Sequence, residues 1–202
     1  MIYYYSNSEI FKTNLNLMQF ANEIDKNKCN NETINNYVEY WKYCLINSYI
    51  EEESTIFNYN GRENYYQSIN ICNSEIRIHF NVTKAIDLIK NNNNIIEQVP
   101  LISFTTNEFH DNTSTIGYIS TSTYINYAYE KNNDPVILVY FPIGNLFYIV
   151  IDGNHRITYK RKNKLKYVNA VLLTYSETIS IIDSKFEQYL YSFYYYSKDY
   201  IK

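Results

Sequence analysis

The stretch Asp152-Gly153-Asn154-His155-Arg156 sets an acid, an amide, an imidazole and a guanidinium around one glycine, directly after the apolar run Tyr148-Ile149-Val150-Ile151. Gly153 permits positive φ and close backbone approach, so the N–H groups of Gly153, Asn154 and His155 can converge on one point if a helix starts there. That point suits a phosphate. Arg156 could grip two phosphate oxygens with its planar fork, and Thr158 could add a hydroxyl. Asp152 is the candidate Mg²⁺ ligand or base, and His155 the candidate phosphate donor or general acid. Asp152 and His155 are therefore the catalytic candidates. Gly153, Asn154, Arg156 and Thr158 are the phosphate- or nucleotide-binding ones. Glu108, His110 and Asp111 form a second cluster of carboxylates and imidazole; His110 and Asp111 are no dyad, because neighbours on a strand point to opposite faces, but a loop can bring them to a site.

Positioning such a turn requires a sheet and a helix. Asp134 to Tyr140 contains a continuous apolar run of the kind that makes a fully buried strand, and Gly144-Asn145 reads as a turn into a returning strand over 146–151. The glycine break follows, then a short basic helix from about Arg156 and a final strand over 168–173. Pro100 to Phe104 has strand character, 120–131 a helix pattern, and 178–197 a closing helix with Ile182, Phe186, Tyr189, Leu190 and Phe193 inward.

Upstream, helical spacing appears over 8–28 and again in a stripe about Trp41, over 34–49. Asn60-Gly61 is a strong hairpin signal, with a return strand through Tyr65, Tyr66 and Ile69. Residues 75–80 alternate with Ile76, Ile78 and Phe80 on one face, which assigns His79 to the outer face with Arg77. A helix capped by Asn81 or Thr83 carries Val82, Ala85, Ile86 and Ile89. The fold class expected is α+β, a small mixed sheet with packed helices. A helical and hairpin annex over 1–98 and a domain over 99–202 would together make one compact unit.

With 202 residues, 46 % hydrophobic and 19 % charged, the chain has the composition of a folded protein, and a net charge of −3 gives no global footprint for nucleic acid. Six of the 18 basic residues nevertheless fall between Arg156 and Lys166. Such a run is either a solvated helix face or an anion attractor. Cys29, Cys44 and Cys72 have no metal-ligand spacing and do not sit near the histidines in sequence. Their odd number and the lack of a leader pattern suggest a cytoplasmic protein. No apolar run approaches the roughly 18 residues of a membrane span, so no membrane partner is expected.

The order of apolar strand, turn, returning strand, Asp-Gly-Asn-His-Arg, basic helix and Val-Asn-Ala-Val-Leu-Leu resembles the core of the ParB/sulfiredoxin-like superfamily over about residues 120–175. The resemblance implies a nucleotide-phosphate site at the glycine turn, with Gly153, His155 and Arg156 on the shared motif and Asp152 on the leading acid of kinase-like members. It also implies nucleotide (ATP, ADP or CTP), with Mg²⁺, as ligand. Asn154 stands where sulfiredoxin has its nucleophilic Cys, so that thiol chemistry is not implied. Tyr159 occupies a position where ParB-type members place Ala against the sheet. The function expected is nucleotide or phosphate binding with phosphoryl transfer or nucleotide hydrolysis. The alternatives are a nuclease or DNA-associated protein, and a non-catalytic protein that binds a protein or nucleic acid partner through its 25 tyrosines.

Overall fold

Val136, Ile137, Leu138 and Val139 are all buried, as expected of a strand covered on both faces. They open the central strand of the fold. The computed structural model describes residues 36, 39, 40, 43, 64–71, 74–92, 94–106, 115–119, 133–143 and 146–197. These comprise strands β1 (Asn64–Ile71) and β2 (Ser74–Asn81), helix α1 (Val82–Asn91), strands β3 (Glu97–Pro100), β4 (Phe104–Thr106), β5 (Ile116–Tyr118), β6 (Val136–Ile143) and β7 (Leu146–Asp152), helix α2 (Asn154–Lys162), strand β8 (Tyr167–Leu173), and helices α3 (Tyr175–Ser180) and α4 (Lys185–Ser197). The chain is thus α+β.

The residues fall into two compact units, 1–81 with 182–202, and 82–181. The sequence suggested one unit with an internal boundary near 98/99. Strand β3 spans that position and pairs with β8, Glu97 opposite Ala170 through Pro100 opposite Tyr167, so 97–100 is part of the sheet.

The larger sheet runs β3-β8-β6-β7-β5-β4. β8 and β6 are parallel, β6 and β7 antiparallel, and β7, β5 and β4 parallel. Its two outer strands are consecutive in sequence, joined only by the 3₁₀ turn Leu101–Ser103. Laid flat, six strands would separate the outer pair by about 24 Å. The link from Pro100 to Phe104 can reach at most about 14 Å. The sheet therefore curls until its edges approach. Leu101, Phe104, Ile116, Tyr118, Val136, Leu138, Val150, Val168 and Ala170 share one core cluster with Ile157 of α2. Pro100 to Phe104, expected as one strand, is split by this turn.

In the other unit, β1 and β2 form an antiparallel hairpin in unbroken register from Asn64 opposite Asn81 to Ile71 opposite Ser74. Helix α4 packs on β2, with Tyr191 edge-on to Phe80 at 6.2 Å between ring centroids. The single closing helix expected over 178–197 is two helices, broken at Ile181–Ser184 because Ser184 starts a new one: its hydroxyl accepts from Glu187 N at 3.1 Å. Ile182 and Leu190 are buried as expected and Tyr189 is half-buried.

His79 is not on a solvent face. It is 8 % exposed, with its backbone N–H 2.6 Å from Glu187 Oε2 and its ring Nδ1 3.1 Å from Glu187 Oε1. Strand alternation turns the His79 side chain away from Ile78 and Phe80, and the Glu187 carboxylate of α4 meets both its backbone N–H and its ring. Asn36, Glu39, Tyr40 and Tyr43 are helical and exposed. The helix over 8–28, Trp41 and its stripe, Asn60-Gly61 and the helix over 120–131 lie outside the described residues.

Candidate functional site

Strand β7 carries buried Ile149, Val150 and Ile151 into the core and ends at half-buried Asp152. Gly153 follows with φ 97° and ψ 12°, and helix α2 begins at Asn154. Two constraints demand glycine. The left-handed conformation disfavours a side chain. An added Cβ would also lie 2.5 Å from Val136 Cγ1 and 3.0 Å from Arg156 Nη2. The first rung of the helix is Ile157 N to Gly153 O at 3.0 Å, so the N–H groups of Asn154, His155 and Arg156 precede the ladder. Gly153 has no side chain to cap them, and no acidic residue occupies the first turn.

Arg156 turns back along its own helix. Its Nη2 donates to Asp152 Oδ2 at 2.6 Å and to Pro135 O at 3.1 Å, so one guanidinium joins the end of β7 to the residue preceding β6. Arg156 is 9 % exposed, and its Nε is buried without a partner. Asn154 is a second brace: Oδ1 accepts from Ile119 N at 2.8 Å and Nδ2 donates to Val150 O at 3.4 Å, tying the ends of β5 and β7 together. The Thr158 hydroxyl donates to Asn154 O at 2.9 Å and is buried. His155 is exposed on the first turn.

The structure thus brings Asp152, Gly153, Asn154, His155, Arg156 and Thr158 into one turn, yet gives several of them other tasks than those expected. The Arg156 fork and the Thr158 hydroxyl face protein acceptors. Asn154 contributes its side chain to the scaffold. Glu108, His110 and Asp111 lie outside the described residues. The partners that sequence reasoning missed are Pro135 O, Ile119 N and Val136. Their contacts depend on the sheet's register, and no local pattern announces them.

The basic run divides in the same way. Only Arg156 sits at the start of α2; Lys160, Arg161 and Lys162 form its last turn, where cations complement the negative end of the helix dipole. Arg161 also donates through Nη1 to Phe104 O and lies 5.6 Å from the Tyr118 ring centroid, fastening α2 to β4 and β5. Tyr159 is half-buried, and Ile157, fully buried, makes the close approach to the sheet instead.

A divalent cation would need oxygen donors from the chain. Asp152 supplies one carboxylate, already held at 2.6 Å by a guanidinium, and no group of three His, Cys, Asp or Glu residues able to hold a metal occurs among the described residues. The donor set does not fit a protein-held Mg²⁺. No helix among the described residues is long and apolar enough to cross a membrane. No family model, curated protein or solved structure matches the chain.

Proposed function

We propose that the turn from Asp152 to Arg156 binds the phosphate of a small ligand, a nucleotide in the first instance. The observation that carries the reading is a helix N-terminus entered through a left-handed glycine, uncapped by any side chain of Gly153, with a buried guanidinium directly behind it. The positive end of the helix dipole favours an anion at that place. The exposed imidazole of His155 stands beside it as a further donor. Arg156 contributes positive charge and holds the turn's shape; it does not leave Asp152 to do so. Turnover by Asp152 forms no part of the proposal, because a carboxylate committed to Arg156 is neither an open base nor a vacant metal ligand.

The test is the shift in melting temperature produced by ATP, ADP and CTP, each with and without Mg²⁺, since a ligand of the native state stabilises it by mass action. His155→Ala should lose roughly 1 kcal/mol of nucleotide affinity. Arg156→Ala should lower both affinity and melting temperature, costing about 1–3 kcal/mol of stability through the unpaired Asp152. If no nucleotide or inorganic phosphate shifts the transition, or if His155→Ala and Arg156→Ala remain folded with unchanged affinity, the turn is a structural brace and a non-catalytic binding role takes its place.

A further inference from the structure

At the other end of α2 the surface changes character. Ile102 is 76 % exposed, Leu165 50 % and Tyr167 51 %. They come from two adjoining segments. β3 pairs with β8 up to Pro100 opposite Tyr167, and Leu101 N donates to Lys166 O at 2.9 Å just beyond, which sets the 3₁₀ turn carrying Ile102 beside the loop carrying Leu165. Lys164, in the left-handed conformation with φ 54°, turns the chain between α2 and β8. The rim is basic: Arg161, Lys162, Lys164 and Lys166 are exposed and Lys160 half-exposed. Neither 98–106 nor 159–167 contains a carboxylate.

We propose that this corner seats on an anionic phospholipid surface, with Ile102, Leu165 and Tyr167 entering the headgroup layer and the lysines lying over the lipid phosphates. Interfacial binding combines buried apolar area with attraction of basic side chains to anionic lipid, and the corner supplies both from adjoining residues. Tyr suits that depth, apolar in the ring and polar at the tip. Nucleic acid fits less well, since a single strand is recognised by rows of stacking rings, and the most exposed apolar residues here are aliphatic. A protein partner would need about 800 Å² on each side, anchored in pockets, whereas these side chains stand out from a turn, a loop and the first residue of β8. The proposal concerns contact with a bilayer surface and is independent of the phosphate site.

The experiment is co-sedimentation of the full chain with vesicles of phosphatidylcholine alone or with about 30 % phosphatidylserine, at about 0.1 M and about 0.5 M salt. Binding to the anionic vesicles should be at least about tenfold tighter than to neutral ones and should weaken at high salt. Ile102→Asn with Leu165→Asn should cost about tenfold with the melting temperature unchanged. Lys164→Glu with Lys166→Glu should remove the preference for anionic lipid, and this pair carries the test if the first fails to fold. Equal partition onto neutral and anionic vesicles, or binding that neither pair alters, would overturn the proposal. So would tighter binding of a single-stranded oligonucleotide that is sensitive to the lysine pair but not to the apolar pair, which would assign the face to nucleic acid.

Discussion

Thr174-Tyr175-Ser176-Glu177 and Ser184-Lys185-Phe186-Glu187 follow the same pattern, a hydroxyl residue with Glu three places on, and each starts a helix. At the first, Thr174 N donates to Glu177 Oε2 at 2.8 Å and Glu177 N to Thr174 Oγ1 at 3.4 Å, closing a capping box. At the second, Ser184 Oγ still accepts from Glu187 N, but the Glu187 carboxylate goes to His79, 108 residues away. Burial separates the two. Glu177 is partly exposed and can answer its own backbone, whereas Glu187 is fully buried and must satisfy both oxygens with whatever the fold brings. A four-residue pattern therefore specifies a helix start, while tertiary structure decides whether its acid acts locally or as a clasp between elements.

The sharpest way to break that comparison is to remove the two acids. Glu187→Ala should cost about 2–3 kcal/mol, since it takes the acceptor from the His79 N–H in a buried site. The matching Glu177→Ala should cost under about 1 kcal/mol in an exposed box. Equal melting shifts for the two would show that Glu187 is no clasp. Next in size are the hydroxyls. Ser184→Ala should approach about 2 kcal/mol because Glu187 N–H loses its acceptor where water does not reach. Thr174→Ala should stay nearer about 1 kcal/mol.

The smallest effect is a matter of pH. Burial acts to raise the Glu177 carboxyl, but hydrogen bonds from the Thr174 N–H, the Thr174 hydroxyl and the Asn94 amide outweigh it and hold the group below its ordinary 4.5. A depressed carboxyl stabilises the fold above its unfolded value, and that contribution fades as pH falls through the folded one. The melting curves of the wild type and Glu177→Gln should therefore differ most above about pH 5, and the difference should shrink as pH falls below the ordinary 4.5. Parallel curves throughout would remove the capping box as a source of acid sensitivity.

Much of the sheet was legible because buried strands are continuous apolar runs: β6, β7 and β8 fall within a few residues of where those runs predict them, and the glycine turn falls between β7 and α2 as read. The break between α3 and α4 was also present in the sequence, in the Ser184 to Glu187 spacing, but the apolar periodicity from Ile182 to Phe193 masked it. His79 was misread for a different reason. Alternation tells which face a residue occupies and not which distant groups reach it. Arg156 shows the limit at the site itself, since its residue type suits a phosphate and the same fork suits Asp152 and the carbonyl of Pro135 once β6 and β7 are in register.

The three residues between β3 and β4 have a consequence for self-association. Unpaired strand edges invite strands from other copies, and proteins guard against this with charges, prolines or closure. Here the two selvedges of the sheet are sewn together by Leu101–Ser103, with Pro100 at the seam withholding one N–H. Lengthening the seam by four or five glycines would let the cloth uncurl without removing a single core side chain. Such a variant should keep most of its secondary structure and begin to form oligomers as concentration rises.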